Sequence, residues 1–235
     1  MDQAVWLALA LATLAGASIP LGGCLALWRF NVLPDWANTE ARHGVLAFGA
    51  GALLAAVALV LIPAGSARTP AWLALACIFV GGAGFYFVDR RIAKTGGKLG
   101  QFLAMMLDYA PEALALGALV STDLSTAVLV AVLIALQNVP EAFNAMREMN
   151  AAGSQVSLWL FAAMVPVGPL CAYIGLAMPA GFDPLIGCVM MLSAGGIVYL
   201  MFQDIAPQVP LERSGVPPIG AVLGFGLGLA GHLMI

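Results

Sequence analysis

The sequence predicts an all-α, polytopic membrane protein with eight transmembrane helices, and three observations carry that prediction. Hydrophobic residues make up 62% of the 235-residue chain and charged residues only 9%, where a soluble domain carries about 25% charged residues. The mean hydropathy is +0.99. The apolar residues gather into stretches of about 20, the length an α-helix needs to cross a hydrocarbon core. The net charge of −3 gives no basic surface for a nucleic-acid partner, so the lipid bilayer is the expected surrounding.

The predicted spans fall near residues 4–28, 43–64, 71–89, 101–121, 124–146, 156–178, 184–206 and 217–235. They form a single transmembrane domain over 1–235 with short loops. The first span opens Met1-Asp2-Gln3 without a basic n-region, and its apolar run is too long for a cleavable signal peptide. Gly16, Ser18, Pro20, Gly22 and Gly23 within it predict close helix contact and a kink. Ribs of small residues mark the second span (Gly44, Gly49, Gly51) and the third (Gly81, Gly82, Gly84) as close-packing faces. The same ribs would suit a homodimer interface or a sliding contact between moving bundles. The connection from Asp89 to Gly100, with Lys94, Gly96, Gly97 and Lys98, reads as the most mobile one.

Orientation follows from the basic residues. The loops after spans 1, 3, 5 and 7 hold Arg29, Arg42, Arg90, Arg91, Lys94, Lys98, Arg147 and Arg213, and the opposite face holds only Arg68. Positive loops face the cytoplasm, so both termini are expected outside, in a plasma or bacterial inner membrane.

Residues 107–113 read Leu-Asp-Tyr-Ala-Pro-Glu-Ala and residues 136–142 read Leu-Gln-Asn-Val-Pro-Glu-Ala. Each copy lies inside an apolar span. An ionisable group there is costly and marks a functional site by default. Asp108 and Glu112 are four residues apart, as are Gln137 and Glu141, so each pair shares one helix face. Spans 4 and 5 are antiparallel neighbours joined around Ser121-Thr122-Asp123, which brings the three carboxylates and the amide to overlapping depths. Such carboxylates repel unless a cation or protons neutralise them, and oxygen-rich ligation suits a divalent ion. Pro111 and Pro140 each remove a backbone hydrogen bond, which predicts a kink beside each acid. A hydrogen-bonded network with Gln137 and Asn138, gluing the helices together, is the purely structural alternative.

These phrases resemble the ZIP (Zrt-, Irt-like) divalent metal transporters, whose fourth span typically carries His-Asn-x-Pro-Glu-Gly and whose fifth carries a second copy. The corresponding residues here are Asp108-Tyr109-Ala110-Pro111-Glu112-Ala113 and Gln137-Asn138-Val139-Pro140-Glu141-Ala142. Further likeness lies in Gly16–Gly22, in His43–Pro63, in Ala194–Pro207 and in Gly231-His232. The resemblance implies uptake of a divalent cation (Zn, Mn or Fe) toward the cytoplasm. It implies a metal site of Asp108, Glu112, Gln137 and Glu141, with Asn138 beside it. Asn144, one turn below Glu141, reads equally as an exit-lining amide or a helix-packing or capping group, and Asp204, near the end of the seventh span, as an exit-path ligand or a solvated helix end. The departures are specific. Asp108 replaces the family's histidine, which shifts preference from Zn²⁺ toward harder ions. The family's adjacent second site would need asparagine at Tyr109, and a glutamate in the sixth span where this chain has Val165-Pro166-Val167-Gly168. One cation site is therefore expected instead of two.

The other candidates are plainer. His43 and His232 are lone residues near helix ends, where solvated imidazoles are usual. The Met105-Met106 and Met190-Met191 pairs read as filler, with Met105, one turn before Asp108, the exception worth testing. Cys24, Cys77, Cys171 and Cys188 lie scattered in apolar runs without a Cys-x-x-Cys pair, and read as small core residues rather than disulfides or zinc ligands. No nucleophile–base set, phosphate loop or cofactor motif occurs, so an enzyme is not expected. Two further functions remain open: a proton-coupled permease for another small solute, and a non-transporting protein that binds a cation.

Overall fold

Helices account for nearly all the described residues, and no strand occurs among them. The computed structural model describes residues 2–27, 35–94, 100–151, 158–178, 182–208 and 215–234. The helices are α1 (Asp2–Leu27), α2 (Asp35–Ala55), α3 (Ile62–Ser66), α4 (Ala71–Lys94), α5 (Gly100–Val120), α6 (Leu124–Ala151), α7 (Leu158–Ala162), α8 (Val167–Ala177), α9 (Asp183–Leu200) and α10 (Val216–Leu233). A backbone without water to bond must satisfy itself, which is why apolar stretches of this length become helices.

Seven stretches of the described residues are long and apolar enough to cross a membrane: Gln3–Leu27, Arg42–Ser66, Ala71–Arg91, Leu124–Arg147, Leu158–Ala177, Asp183–Gln203 and Val216–Leu233. They coincide with seven of the expected spans. The remaining expected span, 101–121, is the 21-residue helix α5, which carries Asp108 and Glu112. Arg29, Lys98 and Arg213, and residues 95–99 of the connection expected to be mobile, lie outside the described residues.

Pro111 and Pro140 lie inside α5 and α6, each of which runs on as one helix. Wide turns occur just before Pro63 and Pro207. Ala56–Leu61 and Met201–Ile205 form π-helical turns, in which Ile62 N–H donates to the Val57 carbonyl and Ala206 N–H to the Met201 carbonyl. A proline can neither donate to the ladder nor tolerate the carbonyl four residues back, and a widened turn relieves both problems. Each π turn extends a longer helix, so α2, Ala56–Leu61 and α3 make one rod, and α9 runs on through Met201–Ile205.

Glycines close several helix pairs among the described residues. A methyl group on Gly51 would overlap the Ala221 carbonyl, and one on Gly224 the Phe48 carbonyl, so α2 and α10 touch backbone to backbone. Gly81 against Leu192 and Gly195 against Ile78 do the same for α4 and α9. Gly117 against Ala172 and Gly175 against Leu114 join α5 to α8, and Gly22 against Val139 joins α1 to α6. In lipid, such close approach gains dispersion contacts that larger side chains would prevent. Of the small residues expected to face neighbours, Gly44, Gly49, Gly51 and Gly81 do so, whereas a methyl on Gly84 meets nothing within 4 Å. The large exposed side chains, such as Trp6, Phe79, Trp159 and Val222, are the complement expected of a lipid-facing surface.

Candidate functional site on α5 and α6

The turn between α5 and α6 sets up the site. Asp123 caps α6 by accepting the Thr126 N–H at 3.0 Å, which satisfies one of the helix's orphan donors. The hydroxyl of Thr126 also donates to this carboxylate, and these two bonds, hydroxyl first, hold it below the usual carboxylate range.

Deeper in the pair, the two repeated phrases meet. Gln137 Nε2 of α6 donates to Glu112 Oε2 of α5 at 2.6 Å. Asp108, Glu112, Gln137 and Asn138 are 3%, 1%, 1% and 2% exposed, which puts all four inside the protein. Asp108 and Glu112 share one face of α5, and Asp108 and Glu141 both lie within electrostatic range of Glu112. Glu141, one turn along α6 from Gln137, is half-buried.

The accounting of polar atoms singles the site out. Asp108 Oδ1, Glu112 Oε1 and Gln137 Oε1 are buried acceptors with no hydrogen-bond partner among the described residues. Each such orphan costs about 1–3 kcal/mol, so a fold that gathers three of them in one place is unusual without something to bind there. Among the described residues, no three His, Cys, Asp or Glu side chains form a ligating group. The Gln137 amide joins the two helices at Glu112, with Asp108 and Glu141 near that carboxylate.

The remaining candidates are placed as follows. Asn144 is buried on α6, one turn beyond Glu141. Asp204 belongs to the π-helical turn that prolongs α9, and its side chain lies outside the described residues. Met105, one turn before Asp108 on α5, is buried in the core. His43 is half-buried inside α2, which begins earlier than expected, at Asp35, and His232 is exposed in the last turn of α10.

Tyr109 holds a position that the sequence did not reveal. Its ring is 1% exposed, and its hydroxyl donates to the Ala12 carbonyl of α1 at 3.1 Å. A methyl on Gly16 or on Gly168 would overlap that hydroxyl, so the two glycines hollow out the niche. The phenol thus fills the space between α1 and α8. The signal was present only as two glycines distant in sequence from Tyr109 and from each other.

All four cysteines are free thiols, as expected, but Cys24 is exposed rather than a core residue, and Cys77 of α4 shares a packed group with Cys188 of α9. Sequence spacing cannot reveal a pair made by two helices far apart in the chain.

No protein-family model matches the chain, and no curated protein matches it.

Proposed function

We propose that this protein carries a divalent metal cation across a cell membrane toward the cytoplasm, through the single site of Asp108, Glu112, Gln137 and Glu141. The observation that carries this reading is the set of buried, orphaned oxygens on Asp108, Glu112 and Gln137, beside the hydrogen bond that joins α5 to α6. A dication supplies what those lone pairs lack, and hard oxygen donors favour Mn²⁺ or Fe²⁺ over Zn²⁺. The resemblance of the two Pro-Glu phrases to the ZIP transporters points the same way.

Helix directions support α5 as an eighth crossing. The helices α4 and α9 pair Gly81 with Leu192, Phe85 with Gly196 and Asp89 with Tyr199, so they run parallel. The helices α2 and α10 pair Gly44 with Gly220, Phe48 with Gly224 and Ala55 with Gly228, and are parallel too. Two parallel spans need an odd number of crossings between them. That condition is met in both cases when α5 crosses. With eight crossings both termini lie on one side, the extracytoplasmic one by the distribution of arginine and lysine.

Purified protein in proteoliposomes provides the test. Uptake of Mn²⁺ or Fe²⁺ should exceed that of Zn²⁺, and Glu112→Gln should reduce it by roughly 100-fold, the loss expected for removing a buried charged ligand. Wild-type flux in Glu112→Gln would overturn the proposal. A second reading, a proton-coupled permease, draws on the Gln137–Glu112 hydrogen bond, which needs no metal. Proton flux that is indifferent to metal would favour it.

A further inference from the structure

A second cluster of potential ligands lies away from α5 and α6, between α4 and α9, and it is made of sulfur. Cys77 is buried, and Cys188 packs against the buried group to which it belongs, near enough for the two thiols to interact. Met191, one turn after Cys188 on the same helix, is buried in the same packed group as Cys77, together with Ala74 and the flanking Leu73, Ile78, Cys188 and Leu192. This contact is built into the helix interface. The backbones of α4 and α9 meet at Gly81 and Leu192, and the two cysteines stand one turn before those residues on their parallel helices. Cys77 lies six residues after Ala71 and Cys188 five after Asp183, so both are about 8–9 Å from the same end of the pair.

That end is roofed by the turn after α3. Thr69 and Arg68 rest against Gly187, next to Cys188, and the Met191 sulfur lies against Gly65. The cluster therefore sits beneath that turn, among the apolar side chains of Leu73, Ala74, Ile78 and Leu192. Two thiols and a thioether are a soft donor set.

We propose that Cys77, Cys188 and Met191 form a binding site for a soft monovalent cation of the Cu(I) or Ag(I) type. On binding, one thiol loses its proton to solvent and a sulfur–metal bond replaces the S–H bond. The thiolate and the monovalent ion cancel, and the second thiol and the thioether complete the shell as neutral donors. A neutral complex is what an apolar surrounding tolerates, whereas a dication held by a single thiolate would leave net charge there. Because one proton leaves, affinity should fall about tenfold for each pH unit lowered below the thiol's range.

The probe is Ag(I), titrated into the full-length protein under a non-thiol reductant, with the ultraviolet thiolate-to-metal band as readout. A Cys24→Ser, Cys171→Ser background removes the other thiols, and one ion per chain is expected. Cys77→Ser and Cys188→Ser should each weaken binding by roughly tenfold or more, and Met191→Leu by severalfold. Glu112→Gln should leave it unchanged, which separates this site from the proposed transport site. Alkylation of the wild-type chain needs no variant: Ag(I) should protect Cys77 and Cys188 while Cys24 still reacts. Binding that survives Cys188→Ser, absence of protection, or isolation of the pair as a disulfide that binds no Ag(I) once reduced would each overturn the proposal.

Discussion

The bond between Gln137 and Glu112 is the only side-chain link described between the two repeated phrases, and its removal has a definite sign. Gln137→Ala strips Glu112 Oε2 of its donor and leaves the whole carboxylate unsatisfied inside the protein. The expected cost is about 1–3 kcal/mol, read as a lower unfolding temperature in detergent, and added Mn²⁺ should restore part of it. Tyr109→Phe should be milder, about 1 kcal/mol for a single neutral hydrogen bond, because the ring still fills its niche. The pairing of Asp108 with Glu112 was legible from their four-residue spacing alone, and so was the meeting of α5 with α6, since a three-residue turn forces neighbours to be antiparallel. The Tyr109 niche and the Cys77–Cys188 contact were not legible. Each joins helices that are remote in sequence, and nothing local encodes the encounter.

Helix caps and close contacts decide the behaviour of whole elements. Asp123→Ala removes the cap of α6 and should destabilise the protein by about 1 kcal/mol. The pH dependence follows from the direction of the shift. The folded carboxylate titrates below its unfolded counterpart, so its stabilising contribution is complete above the unfolded value of about 3.9 and is lost as pH falls through the folded one. Wild type and Asp123→Asn should therefore converge in unfolding temperature only in acid, below about pH 4. Glycine gives a sharper contrast within α10. Gly224→Val drives a side chain into the Phe48 carbonyl, whereas Gly226 has nothing within 4 Å. The first should cost about 1–3 kcal/mol or prevent folding, and the second should be nearly neutral. The sequence identified glycine ribs without naming their partners, and it could not tell Gly81 from Gly84. Proline alone did not show where turns widen: α5 and α6 run on through Pro111 and Pro140, whereas π-helical turns form before Pro63 and Pro207. Whether a proline interrupts a helix depends on how neighbouring turns can reroute their hydrogen bonds, which composition does not record.

For the molecule as a whole, hydropathy was enough to give the fold class and the position of seven spans, because bilayer thickness sets one length for all of them. It could not give the order of packing. The last helix returns to α2, and α9 to α4, through backbone contacts that no periodicity announces. The proposed eight-crossing arrangement makes a simple labelling prediction. Single cysteines at Ser66 and Met234, in a cysteine-free background, should react together with an impermeant maleimide added outside intact cells. A cysteine at Arg147 should react only after permeabilisation. Reaction of Arg147→Cys from outside, alongside Met234→Cys, would contradict the proposed orientation.

The glycine contacts also decide where this bundle can yield. Where backbones interlock, as in α5 with α8 and α1 with α6, sliding requires carbonyls to climb over one another, and the next comfortable seating is a full turn away, about 5.4 Å. Each such pair is in effect one stiff plank. Between these two planks runs a fault line, and two of the hydrogen bonds described above bridge it: Tyr109 to Ala12, and Gln137 to Glu112. A small displacement along that line would strain both bonds at once, so any slip between the planks is felt directly at Glu112 and Gln137.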